Sequence, residues 1–518
     1  MSGNAIPRRN FIELAAASIG AVALGSNLTA TRVQAQSTGK RGGTLTMAIT
    51  GDPKTLDVHR STLDVLRHTV RSMVFESLVF VEPTLRVRPA LATAWQTSPD
   101  GLTVTFTLRR GVKFHDGSGF TARDVAFTIR RVQNAATASQ YAPQVSAVKQ
   151  VEIADPYTVR LHLSAPTPAL ITNLLFIPIV GEQSIASIDK HPIGTGPFKF
   201  VQWIPGNHIR LSRNPDYHVK GLPLVEAIEM RPMGDEQTRI TNLQTGAVLL
   251  DESMDATDVK QVRAFPNARV LATEPITLYE IFQINTQRSP FTDKRVRQAL
   301  SYAFDRESYV KSFWYDLARP GDNPFVKEMP AYLPGSDGTY AFDLQKAGSL
   351  LEAAGFSRAN PLKAEILSPL GYSSLHTMAV LLQANLNKLG HTVTVRDLEL
   401  SAWVDRISAH PNFDVTTDNY NTVPEDPGGM FNSDNLAPSF NINRFNPPGY
   451  AALVKQAASE VNPQQRIQLY QQLQKLLLDE QPMIVVDHIP NLLGASKKVS
   501  GLVLGPSGIW DYSRLSIA

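Results

Sequence analysis

Gly194-Thr195-Gly196-Pro197, the acidic run Asp251, Glu252, Asp255 and Asp258, and the histidines His59 and His410 are the places where residue type could do chemistry. Glycine spacing of the first kind can cradle phosphate through backbone N–H groups. Here the third glycine and the following Lys-Ser/Thr are missing, and Pro197 removes a donor, so a structural turn is expected. The acidic run offers oxygens to calcium, but its spacing misses the loop pattern and no glycine stands at the tight turn; a solvated helix start is expected instead. Neither His59 nor His410 has a second histidine at ligand spacing, so we expect no metal and no cofactor. No Gly-x-Ser-x-Gly elbow and no His-Glu-x-x-His stretch occurs, and the absence of cysteine rules out thiol catalysis, zinc ribbons, disulfides and an N-terminal lipid anchor. Carboxylate pairs are plentiful, but nothing selects one, and an enzyme is not expected.

The elements that must position such residues are clearest between Leu91 and Val132. Val104, Phe106 and Leu108 alternate with Thr103, Thr105 and Thr107, the period of a strand with one apolar face. Asp100-Gly101 and Arg110-Gly111 supply turns on either side. Thr121 then stands as N-cap with Asp124 three residues on, and Val125, Phe127, Ile129 and Val132 carry a helix. Strands are also predicted over Gly43 to Thr50, Val151 to Leu163, and Phe198 to Leu211. Helices are predicted over Asp235 to Gly246 and from Asp293 to Phe304. After Asp343 the text alternates helix and strand, as a sheet with helices on its faces requires. At 518 residues, 43% hydrophobic and 19% charged, the chain suits two or three soluble globular domains.

The first 35 residues differ from the rest. Arg8-Arg9-Asn10-Phe11-Ile12, the apolar run Leu14 to Leu24 and Val33-Gln34-Ala35 read as an export signal too short to span a membrane. The paired arginines resemble the twin-arginine type; Pro7 and Glu13 depart from it, and a general secretory signal is the alternative. Losing Arg8, Arg9, Arg32 and Glu13 lowers the formal charge from +3 to about +1, which leaves no electrostatic case for nucleic acid. A periplasmic, soluble monomer is expected.

The order of four segments carries more than any one of them. Leu91 to Val132, "GTGPF" at Gly194, "RNPDY" at Arg213 and "PFTDKRVRQALSYAFDR" from Pro290 closely resemble the family 5 solute-binding proteins of ATP-driven importers, which receive oligopeptides, dipeptides, nickel chelates, glutathione, opines and some sugars. The resemblance implies an α/β, bilobed periplasmic-binding-protein fold of class II type, with an inserted domain and a two-strand hinge. Residues 41–74, 191–282 and 487–518 would form domain I, residues 75–190 the inserted domain II, and residues 283–486 domain III. Tyr279 to Asn285 and Met483 to Val486 are the candidate linking strands. The ligand, a peptide or small organic solute, would lie between the lobes and be passed to membrane permease subunits.

By the same resemblance, one cleft wall is Ser61, Thr62, Leu63 and Asp64. The other is Asp418, Asn419, Tyr420, Asn421, Thr422, Val423 and Glu425, ahead of Asp426-Pro427, with Ser439 and Asn441 beyond. Peptide-binding members place an aspartate four residues before that proline, because a buried ammonium needs a carboxylate. This chain has Val423 there; Glu425, Asp418 and Asp64 are the neighbouring carboxylates, and a ligand without the amine is the competing expectation. Tyr420 is an aromatic contact candidate, whereas Trp403 is expected to pack helix against sheet. An exported hydrolase, or a binding protein used for sensing or chaperoning, are the functional alternatives.

Overall fold

The computed structural model describes residues 39–518 apart from 61–65, 67, 410, 422–425, 427, 432–435, 439–440 and 506–507. The expected export signal therefore lies outside the described residues. The strands run in order β1 (Thr44–Ile49), β2 (Val79–Val81), β3 (Val87–Pro89), β4 (Ala92–Thr97), β5 (Thr103–Leu108), β6 (Val148–Asp155), β7 (Thr158–Leu163), β8 (Phe198–Ile204), β9 (His208–Arg213), β10 (Ala227–Pro232), β11 (Leu250–Asp251) and β12 (Ala268–Ala272). They continue as β13 (Leu278–Ile284), β14 (Arg319–Pro320), β15 (Lys363–Pro369), β16 (Thr392–Leu398), β17 (Val415–Asn421), β18 (Met483–Ile489) and β19 (Leu492–Ser496).

One lobe is built on a sheet ordered β12-β19-β11-β1-β10-β9-β8, the other on a sheet ordered β14-β18-β13-β17-β15-β16. The chain passes between them at residues 273–277, leaving β12 for β13, and at residues 490–491, leaving β18 for β19. The two crossings are tied together: Thr273 N donates to Asn491 O at 3.0 Å, and Asn491 N to Thr273 Oγ1 at 2.9 Å. The apolar runs predicted as linkers are thus inner strands of the second sheet, and the crossings fall just outside them. Burial explains this, since every residue of Met483–Ile489 is buried, as a strand flanked on both edges and both faces must be.

The predicted hairpin and helix pack as their periods require. β4, β5, β7 and β6 form a separate four-stranded sheet. Val104, Phe106 and Leu108 face a core shared with Val125, Ile129 and Val132 of the helix Ala122–Gln133. Thr121 N donates to Asp124 Oδ2 at 2.8 Å and Arg123 N to Thr121 Oγ1 at 3.3 Å, so the short carboxylate completes the capping box. From the same helix Arg131 reaches outward to pair with buried Asp57 and to meet His59 Nδ1 at 2.7 Å. His59 Nε2 lies 2.8 Å from Pro178 O, and burial lowers this imidazole to about 4, so both ring nitrogens of a neutral His59 are occupied by protein partners.

Candidate ligand-binding site

The most recognisable segments of the sequence meet at one place in the first lobe. His115 N donates to Gly194 O at 2.9 Å, and His115 Nε2 and Asn214 Nδ2 each lie 3.0 Å from Gly196 O. Glu76 accepts from Thr195 Oγ1 at 2.9 Å and Tyr217 OH at 3.2 Å, and pairs with His218 Nε2 at 2.8 Å. Both glycines are required by closeness: a Cβ on Gly194 would stand 2.0 Å from Val74 O, and one on Gly196 2.6 Å from Met73 O. The glycine turn therefore cradles another stretch of backbone, with no room for phosphate.

The acidic run differs from expectation. Asp251, Glu252 and Asp258 are buried, each taken up by a partner from elsewhere in the lobe instead of facing water. Arg239 Nε donates to Asp251 Oδ1 at 2.9 Å, Thr50 N and Oγ1 reach Glu252 Oε1 at 3.1 Å, and Gln237 Nε2 reaches Asp258 Oδ1 at 2.9 Å. Burial pushes Asp251 up to about 6 and Glu252 to about 7. Among the described residues no group of three or more His, Cys, Asp or Glu could hold a metal ion. Asp255 Oδ2 accepts from Ser373 Oγ at 2.8 Å, a contact from the first lobe to the helix Ser373–Lys388 of the second.

Asp418 to Asn421 lie on β17, an inner strand, and not in the polar loop that their side chains suggested. β17 pairs antiparallel with β13 along its whole length, Asp418 opposite Ile281 and Tyr420 opposite Tyr279, but meets β15 only at Val415 and Thr416. Its polar end is thus held on one edge and exposes other groups for contact. Asp418 Oδ2 accepts from Gln283 Nε2 at 2.7 Å and Oδ1 from Asn419 N at 2.8 Å; no cation pairs with it among the described residues, and burial raises it to about 7. Two residues on, and so on the same face, the half-buried Tyr420 ring lies 6.5 Å from buried Tyr279, and Asn421 is exposed at the strand end. A carboxyl, a phenol and an amide in this order can take a solute with both polar and apolar parts.

The remaining predicted contacts divide. Ser61, Thr62, Leu63, Asp64, Thr422, Val423, Glu425, Ser439 and His410 lie outside the described residues. Asn441 is buried, and both its amide hydrogens are committed, to Ala437 O at 3.0 Å and Phe445 O at 2.8 Å, so it shapes its loop and has no donor left for a ligand. Trp403 is buried as expected, its Nε1 donating to Thr416 Oγ1 at 2.8 Å. Gln283, which holds Asp418, went unnoticed in the sequence because it sits in an apolar strand.

Two α/β lobes, joined by a pair of short crossings and bearing a polar strand end in the second, define a hinged binding protein. The relatives make the class specific. Residues 86–439 match the model for bacterial extracellular solute-binding proteins, family 5, middle region, and the chain belongs to that family. Di/tripeptide-binding protein 2 of Pseudomonas aeruginosa is 27% identical over 512 residues, covering 92% of this chain and 95% of its own. Among solved structures, the periplasmic binding protein DppA of Helicobacter pylori, in complex with the peptide STSA, is 26% identical with a TM-score of 0.75, covering 92% of this chain and 98% of its own. AgaA of A. tumefaciens, in complex with agropinic acid, is 26% identical with a TM-score of 0.74, covering 92% and 99%. The chain is the substrate-binding component of an importer, as its family membership and these binding-protein relatives establish.

Proposed function

We propose that this protein is exported to the periplasm by residues 1–35, captures a peptide or small organic solute between its lobes, and hands it to the permease subunits of an ABC importer without altering it. The twin-arginine form of the signal, Arg8-Arg9-Asn10-Phe11-Ile12, fits export of a chain without cysteine. The solute contacts in this reading are Ser61, Thr62, Leu63 and Asp64 from the first lobe. From the second lobe the reading takes Asp418, Asn419, Tyr420, Asn421, Thr422, Val423, Glu425 and Ser439. Domain I would comprise 41–74, 191–282 and 487–518, domain II 75–190 and domain III 283–486, with the protein acting as a monomer.

The polar end of β17 carries the reading: Asp418 and Tyr420 share a face where β17 has left its neighbour β15. Relatives solved with a peptide and with agropinic acid support both ligand classes. A ligand that prefers the closed arrangement would hold the lobes together. Thermal shift against di- and tripeptides, opines, metal chelates and short sugars tests it, since a ligand at a hundredfold excess over Kd stabilises by about 2.7 kcal/mol. Asp64→Ala and Tyr420→Ala are expected to abolish the shift of whichever compound binds; full shifts in both variants would move the site elsewhere. Recovery of chemically altered compound would make the protein an enzyme.

A further inference from the structure

Glu280 and Asp487 face each other in register across β13 and β18, and both are 0% exposed. The pairing slips by one residue at this point, between Glu280 and Ile281. The two carboxyls are served unequally. Glu280 Oε2 accepts from Tyr309 OH at 2.8 Å, and Ser374 and the Trp314 indole also bear on Glu280. Neither oxygen of Asp487 accepts a well-formed hydrogen bond, and Glu280 Oε1 is in the same condition.

Among the described residues no cation forms an ion pair with either carboxyl. Arg306 is the basic group nearest to Asp487, on the helix Arg306–Phe313, but its guanidinium donates to Val485 O at 2.9 Å, Ser301 O at 3.0 Å, Tyr340 O at 3.1 Å and Ser301 Oγ at 2.9 Å. Asp322, buried close by, accepts from Tyr340 N at 2.8 Å and adds a third acidic group to this one base. His488 turns to the opposite face, where its Nε2 lies 2.9 Å from Asn323 O and burial lowers it to about 4; Arg319 beside it pairs with Glu328 at 2.8 Å. Tyr309 OH lies 2.8 Å from Glu280 Oε2 and 3.3 Å from Ser374 O, so its one hydrogen serves the nearer, carboxylate oxygen. A proton fits that geometry, and it fits in one direction, from Asp487, on which only the Glu280 backbone N–H bears, to Glu280, which has the Tyr309 hydroxyl.

We propose that Asp487 carries a proton which it donates to the Glu280 carboxylate, and that this one proton holds together the two strands from which both crossings leave. β13 begins directly after the crossing at 273–277, and β18 ends directly before that at 490–491. Loss of the proton would set two like charges opposite each other at the root of the hinge. Burial, aided by the neighbouring carboxylate, holds Asp487 well above the usual carboxylate range. A carboxyl raised in the folded state favours folding most on the acid side, and that advantage is lost as pH rises through the raised value.

The test uses the whole unliganded protein. Thermal unfolding is followed from about pH 5 to about pH 9 for the wild type, Asp487→Asn and Glu280→Gln, and the carboxylic C=O infrared band is recorded at about pH 8.5, above the range in which Glu252 and Asp418 titrate. Asp487→Asn keeps a donor toward Glu280, so it should fold, lose less Tm than the wild type as pH rises, and lack the carboxylic band. Glu280→Gln should lower Tm at every pH, because Tyr309 loses a charged acceptor. A wild-type pH slope in Asp487→Asn, or a wild-type spectrum without a carboxylic band at that pH, would overturn the proposal. The spectrum decides even where a variant fails to fold.

Discussion

The junction around Glu76 and the end of β17 are both polar, and they treat polarity in opposite ways. At the junction, Thr195, Tyr217, His218 and Asn214 spend their hydrogen bonds on Glu76 and on the Gly194 to Gly196 backbone. Apart from His218 Nδ1, which is buried without a hydrogen-bond partner, the groups satisfy one another, and they hold His115 and the glycine turn to the first lobe. At β17, Asp418 has two donors and, among the described residues, no cation, Tyr420 is half covered, and Asn421 is exposed. The difference teaches where to look for specificity. The motif segments at the junction serve one backbone packing, whereas the end of β17 sets a carboxyl, a phenol and an amide where the strand has left its neighbour β15, which is where our proposed solute contacts lie.

Breaking the junction should cost the most. Gly194→Ala drives a methyl into Val74 O, and we expect a loss of about 3 kcal/mol or more in denaturant unfolding, or no folded protein at all. Glu76→Gln removes a charged acceptor shared by three donors and should cost about 2 kcal/mol while leaving solute affinity unchanged. An affinity loss there as large as at β17 would erase the contrast between the regions. Asp418→Asn should weaken binding with little loss of stability. The wild-type carboxyl, raised to about 7, gives stability on the acid side that fades as pH climbs to that value, so the variant's Tm should vary less with pH over this range. Tyr420→Ala gives up packing near Tyr279 and should cost about 1 kcal/mol beside its effect on the solute. Asn421→Ala is exposed and should stay within about 0.5 kcal/mol of the wild type, with only a modest change in affinity by calorimetry.

Local chemistry was legible where it was self-contained. The capping box at Thr121, the alternation of Val104, Phe106 and Leu108, and the helix from Glu236 ending at Gly246 each depend on neighbours in the chain, and each appears where its period places it. The polar strand Val415–Asn421 was not legible as a strand, because TTDN breaks the apolar alternation; only Val415, the two threonines and Tyr420 favour extended backbone, and β13 beside it imposes the rest. The burial of Asp251, Glu252 and Asp258 was hidden for a similar reason, since their partners, Arg239, Thr50 and Gln237, lie on other elements, and an arginine on a helix ordinarily would face water.

What the sequence determined by itself was the set of local elements and the family, since periodicity, caps and motif order are all short-range properties. Tertiary structure alone decided which polar groups were already satisfied. It used up Asn441, His59 and the glycine turn, bonded Asp418 to Gln283, and set Glu280 against Asp487 from positions some two hundred residues apart. Hydrogen-bond satisfaction is a property of the assembled chain, and so was the distinction between residues that hold the fold and residues left to meet a solute.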